Sequence, residues 1–271
     1  MLIEVERGGG RIAVESSGAG PLVLCVPGMG ESRASFRHLV PGLVQAGYRV
    51  AVMDLRGHGD SSAGFDAYDD PAAAGDVLAV IDALGGGPAA VVGNSMGAAA
   101  AVLAAAARPE LVPRLVLIGP FVRDHGSGGA RLLLRALLAR PWGPAVWRAY
   151  YGSLFGPRRP ADHADHVSRA LALLRRPGRW SAFQATARTS HAPAEAALPK
   201  VAAAALVIMG DRDRDFPDPE AEASWVAAAL RGEYRMIPGA GHYPMAEQPA
   251  EVLEAMLPFL GHAGPRRGAH G

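Results

Sequence analysis

Three loops of this chain carry residues able to do nucleophilic chemistry, and each follows an apolar run of strand length. Ser95 sits at the apex of Gly93-Asn94-Ser95-Met96-Gly97, between Ala89-Ala90-Val91-Val92 and an alanine-rich stretch from Ala98 to Ala107. That pattern reads as strand, sharp turn, helix. Glycines two residues either side of the serine let backbone pass backbone, and the turn lifts the hydroxyl over a sheet edge. The helix starting beneath it favours negative charge. Leu206-Val207-Ile208-Met209 then opens into Gly210-Asp211-Arg212-Asp213-Arg214-Asp215, and Tyr234-Arg235-Met236-Ile237-Pro238 into Gly239-Ala240-Gly241-His242. A serine hydroxyl needs a neighbouring base to take its proton. An imidazole held by a carboxylate supplies one. A parallel sheet gathers such loops at the carboxyl ends of its strands, so residues distant in sequence can meet there.

Two further segments sit in matching positions. Val26-Pro27-Gly28-Met29-Gly30 follows the run Leu22–Val26, and Asp54-Leu55-Arg56-Gly57-His58-Gly59-Asp60-Ser61 follows Arg49–Met53. Together with the serine turn and the order Ser, Asp, His, they resemble the α/β-hydrolase family over nearly the whole chain. The resemblance implies an α/β-hydrolase fold: a mostly parallel eight-stranded sheet flanked by helices, with a helical cap inserted after strand 6. It implies Ser95 as nucleophile and His242 as base. The family's G-x-x-D spacing, counted from Gly210, selects Asp213 as the acid. Asp211 and Asp215 then read as solvated or turn-forming carboxylates, and Asp124 as a remote alternative acid. The backbone N–H groups of Met29 and Met96 take the place of the oxyanion hole. Pro27 stands where the family usually has histidine.

The implied activity is hydrolysis of a small or medium carboxylic ester through an acyl-enzyme, without a cofactor. The meta-cleavage-product hydrolases share Gly-Asn-Ser-Met-Gly, which makes carbon–carbon hydrolysis of a diketo acid the alternative; Ala98 stands where their elbow continues with glycine. A thioesterase, lactonase or cofactor-free perhydrolase would use the same three residues. Dehalogenases and epoxide hydrolases of this fold use an aspartate nucleophile, and Ser95 speaks against both. A ligand-binding receptor that keeps the fold is the non-enzymatic reading, since fold alone does not prove activity.

The elements that must position these loops are legible along the chain. Leu2–Glu6 and Arg11–Glu15 read as an antiparallel hairpin around Gly8-Gly9-Gly10. Apolar residues at helical spacing predict helices over Ser32–Ala46 and Asp69–Leu84, with Asp70 as a cap before Pro71. The core is expected over 1–121 and 198–261, a helical cap over 122–197, and a disordered tail over 262–271. Between Trp142 and Phe183 the cap carries aromatics, of which only some should line a pocket. Its arginines, Arg131 to Arg179, read first as a solvated basic face and second as a lure for a carboxylate substrate. His38, His125, His163, His166 and His191 read as solvated or capping side chains, and His58 as part of a structural loop or pocket wall.

The chain has 271 residues, 49% hydrophobic and 20% charged, with a net charge of +1. That suits one α/β core with an insertion and gives no field for nucleic acid. Cys25 is the only cysteine, so no internal disulfide forms, and Lys200 is the only lysine. No H-E-x-x-H, paired cysteines or P-loop suggests a metal or nucleotide. The N-terminus lacks the pattern of a signal peptide, and no apolar stretch reaches membrane-spanning length. A small-molecule substrate and a cytoplasmic location, with no nucleic-acid or membrane partner, are the expectations.

Overall fold

The computed structural model describes residues 1–124 and 128–261. The expected tail, and His125, Gly126 and Ser127, lie outside them. Eight strands form one sheet: β1 (Leu2–Arg7), β2 (Gly10–Ser17), β3 (Leu22–Val26), β4 (Arg49–Met53), β5 (Ala89–Asn94), β6 (Arg114–Ile118), β7 (Ala204–Gly210) and β8 (Glu233–Ile237). Their order is β1-β2-β4-β3-β5-β6-β7-β8. Only β2 runs against its neighbours; β4, β3 and β5 to β8 are parallel. The central strands are short apolar runs because both faces are covered.

Alternate residues of these strands feed two cores. Leu24, Val91, Leu115, Leu117 and Val207 face α2 (Asp70–Ala83), α3 (Met96–Ala107) and α9 (Pro219–Ala229). Val23, Cys25, Val50, Val92 and Val116 face α1 (Val40–Gln45) and α11 (Pro249–Leu260). Cys25 is fully buried, and burial pushes its thiol far up, which keeps it inert.

Two local expectations shift. The single helix over Ser32–Ala46 is broken into a 3-10 turn at Arg33–Phe36 and the short α1. Pro41 explains the break: it has no N–H to give, and its ring would collide with the carbonyl four residues earlier in a continuous helix. The α2 cap is Asp69, whose side chain accepts from Ala72 N at 3.0 Å, and not Asp70. Asp70 turns elsewhere.

Among the described residues, five α-helices lie between β6 and β7: α4 (Gly128–Leu137), α5 (Gly143–Ser153), α6 (His163–Leu174), α7 (Arg179–Thr186) and α8 (Ala192–Ala197). Trp147, Tyr151, Phe155, Trp180 and Phe183 from this segment are buried and extend the second core upward. α8 packs instead on α3 and α2. No helix among the described residues is long and apolar enough to cross a membrane.

Candidate active site

Ser95 joins β5 to α3 with φ 56° and ψ −123°. A positive φ is strained for a residue with a side chain and is sustained only where surroundings enforce it. The enforcement is visible at the flanking glycines. A Cβ on Gly93 would stand 2.4 Å from the carbonyl oxygen of Gly97, and one on Gly97 2.3 Å from that of Val26. We therefore expect Gly93→Ala to destabilise the fold by about 3 kcal/mol or more. Urea titration would report it as a lower midpoint at unchanged slope; an unaltered midpoint would show that the turn relaxes freely.

His242 follows β8, and α10 (Pro244–Glu247) follows it. Its Nδ1 lies 2.7 Å from Oδ2 of Asp213, with both side chains buried. Asp213 follows β7, as the G-x-x-D spacing requires. A second carboxylate shares the histidine: Asp215 Oδ2 is 3.6 Å from the same Nδ1. Asp215 also accepts the Tyr150 hydroxyl, and its backbone N–H donates to Asp213 Oδ1 at 3.0 Å. Burial alone would disfavour charge on the imidazole, but Asp213 and Asp215 outweigh it and hold the His242 pKa up at about 9. Burial likewise raises Asp215, with Asp213 adding to the shift and His242 opposing it.

Asp213, Asp215 and His242 bring three ligand-capable atoms within 4.8 Å of one another. The 2.7 Å contact between Asp213 and His242 has the length of an N–H···O hydrogen bond. Asp211 takes a structural role, accepting from Gly239 N at 2.6 Å. Asp124, the remote alternative, accepts from Ser190 Oγ at 2.6 Å and His191 N at 2.9 Å.

Ser95 and His242 line one cavity of about 380 Å³ with Met29 and Met96. Leu134, Leu137, Leu138, Val146, Trp147 and Leu154 of the inserted segment roof it, and Phe121 and Tyr243 line it from the core. Of the aromatics in the inserted segment, Trp147 and Tyr150 reach the cavity. Gly28 is held close to the serine: a Cβ there would be 2.8 Å from Ser95 Cβ. No arginine or lysine lines the described wall, while Asp124 and Asp215 do. Among the described arginines of the inserted segment, Arg176 pairs with Asp60, Arg179 donates to the Ser61 carbonyl and Arg158 to Gln248 Oε1.

Two supporting residues were not singled out in the sequence. Asn94 Nδ2 donates to the carbonyls of Ile118 at 3.0 Å and His242 at 3.3 Å, tying three strand ends together. Glu247 accepts from the backbone N–H of Gly241 (3.0 Å), Gly156 (2.7 Å) and Tyr243 (3.3 Å). It fixes the residues either side of His242. The one available signal was Glu247 standing five residues after the histidine, which no local rule flags.

Two histidines depart from the solvated or capping reading. His166 is buried against Tyr151 Oη at 2.9 Å and near Glu31. His191 pairs with Asp70. His58 is buried, with Nδ1 3.0 Å from the Arg56 carbonyl, and burial pushes it down to about 4.

A sheet of this order, with a strained serine after its fifth strand and an Asp–His pair after its seventh and eighth, defines an α/β-hydrolase. The chain belongs to the alpha/beta hydrolase family, which matches residues 23–255. It is 34% identical over 210 residues to the magnesium-chelatase 30 kDa subunit of Rhodobacter capsulatus, covering 73% of this chain and 72% of that protein. It is 30% identical over 282 residues to 2-hydroxymuconate semialdehyde hydrolase of a Pseudomonas species, covering 96% and 94%. A bromoperoxidase from Bacillus anthracis shares the fold at TM-score 0.82 and 20% identity, covering 96% of this chain and 99% of that one. Hydrolysis is the activity class that the family and its hydrolase members support.

Proposed function

We propose that the protein is a serine hydrolase of small or medium neutral carboxylic esters, working through an acyl-enzyme. The Asp213–His242 bond, opening on the cavity that Ser95 also lines, carries this reading. Ser95 Oγ attacks the carbonyl carbon while His242 Nε2 takes its proton. The backbone N–H groups of Met29 and Met96 receive the oxyanion as it forms. The tetrahedral intermediate collapses, the carbon–oxygen bond to the alcohol breaks, and the imidazolium returns the proton to the departing oxygen. Water, deprotonated by His242, then attacks the acyl carbon, and Ser95 leaves with the proton. Asp213 keeps Nδ1 protonated, so Nε2 is the basic nitrogen. Helices α4–α7 act as the cap over this chemistry.

The cavity wall bears on the substrate. Apolar side chains dominate it, and Asp124 and Asp215 set carboxylates beside the imidazole of His242. That supports a neutral substrate and weighs against the carboxylate of a diketo acid, so ester cleavage is preferred to carbon–carbon cleavage. An activated neutral ester should give a burst of alcohol and add one acyl mass to Ser95. Its carboxylate analogue at low salt should be at least about tenfold less efficient, given the cost of a like charge in a confined site. Equal efficiency, or no acyl adduct, would overturn this reading.

A further inference from the structure

A second acid–imidazole pair, which the ester chemistry does not use, meets the same cavity through its histidine. His191 and Thr189 line it together with Ser95 and His242. His191 Nδ1 lies 2.7 Å from Oδ2 of Asp70, whose side chain is fully buried. That repeats the length of the Asp213–His242 contact. Asp70 opens α2 yet leaves the capping to Asp69, and its carboxylate reaches across to the inserted segment. Its second oxygen, Oδ1, is buried without a partner among the described residues. Burial raises the Asp70 carboxyl, and the bond to His191 draws it back. An unsatisfied buried oxygen costs about 1–3 kcal/mol, so its retention asks for an explanation.

With Nδ1 committed to Asp70, Nε2 is the atom that His191 can offer to the cavity. The Phe121 ring packs against both imidazoles, 5.9 Å from that of His191 and 5.8 Å from that of His242 between centroids. The two histidines are therefore no further apart than those separations combined. A substrate bound at Ser95 reaches His191 with a short chain. Thr189 Oγ1 accepts from Asp70 N at 3.3 Å, which leaves its hydroxyl proton to donate. Asp124 brings a carboxylate to the same wall.

These groups select a ligand chemistry. The carboxylates of Asp70 and Asp124 repel an anion. A carbonyl oxygen satisfies Nε2 only when the imidazole is protonated, and an ammonium group only when it is neutral. A hydroxyl donates to the neutral ring or accepts from the protonated one, and it also accepts from Thr189. We propose that Asp70, His191 and Thr189 form a subsite for a hydroxyl group carried by the substrate a short chain from the scissile carbonyl. The preferred substrate is then a hydroxylated ester. This rests on Ser95 being the nucleophile.

The test compares matched hexanoyl and ω-hydroxyhexanoyl esters, and hexyl and ω-hydroxyhexyl esters, by kcat/KM. The wild-type protein should prefer the hydroxylated member of at least one pair by about tenfold, the worth of a well-placed hydrogen bond. His191→Phe should abolish that preference, lowering kcat/KM of the hydroxylated member about tenfold more than that of its unsubstituted partner. His191→Gln, which keeps a polar amide, should restore part of it. A preference absent from both pairs, or unchanged in His191→Phe, would overturn the subsite. So would an equal loss on both members, which marks a purely structural histidine. Binding of hexanamide and ω-hydroxyhexanamide to Ser95→Ala, followed by calorimetry, separates the two readings. Preferential binding of the hydroxylated amide without any acyl-enzyme in the wild type would remove the catalytic reading and keep the subsite; equal binding within this pair and within N-hexylacetamide and N-(ω-hydroxyhexyl)acetamide would remove the subsite.

Discussion

Ser95→Ala should lower turnover of an activated ester by about 10⁴-fold or more, as loss of the nucleophile does in comparable triads. The burst and the acyl adduct should vanish together. The fold should survive, because the side chain leaves the elbow while the glycines that shape it remain. Alanine keeps the Cβ and with it the strain of φ 56°. Ser95→Gly removes that strain, worth about 1–3 kcal/mol. The glycine variant should therefore be inactive yet unfold at higher urea than the alanine variant. Substantial turnover by either, with clean removal of contaminating esterase, would show that another group attacks the carbonyl.

The two carboxylates beside His242 should part company under substitution. Asp213→Asn presents a donor or the wrong acceptor to Nδ1 and favours the wrong imidazole tautomer, so about 10⁴ in kcat is expected to be lost. Asp215→Asn keeps the 2.7 Å bond to Asp213 and removes only a flanking charge. The sign follows from the proposed role. As general base His242 would act when its Nε2 is free of a proton, so kcat/KM should rise with pH through its pKa of about 9 in the free enzyme. Removing the Asp215 charge makes the imidazolium easier to deprotonate and moves the rising limb to lower pH, by about one pH unit. A limb that stays in place would mean that Asp215 is not felt at His242. Stability carries the opposite face of the same linkage. A histidine raised above its ordinary 6.5 stabilises the fold fully below that value and loses the contribution as pH rises through about 9.

Much of this arrangement was legible because it is encoded locally. The elbow declares itself through two glycines between an apolar run and an alanine-rich helix, and the Asp213–His242 contact through loops that directly follow strands. The family and its eight-stranded fold were readable on those segments. What escaped depends on partners brought together by folding. Asp215 looked like a loop charge because its distance to His242 is set by the β7–β8 pairing, not by its neighbours in sequence. Glu247 and Asn94 act through backbone groups, which carry no sequence label. Asp70 read as a cap because it precedes a proline, whereas Asp69 fills that role and frees it for His191, 121 positions away.

The way the inserted helices are attached near His242 decides which of them can swing. The His242 N–H donates to the Leu154 carbonyl at 2.8 Å, and Glu247 binds Gly156 N at 2.7 Å. A Cβ on Gly241 would collide with Leu154 O at 2.2 Å, so the two backbones touch. Lifting the stretch after α5 would therefore drag His242 away from Ser95. Leu134 and Leu137 of α4 both line the chamber and stand exposed, so ligand is expected to enter along α4. A spin or fluorescent label on α4 should report entry of ligand, while one beside Gly156 stays silent.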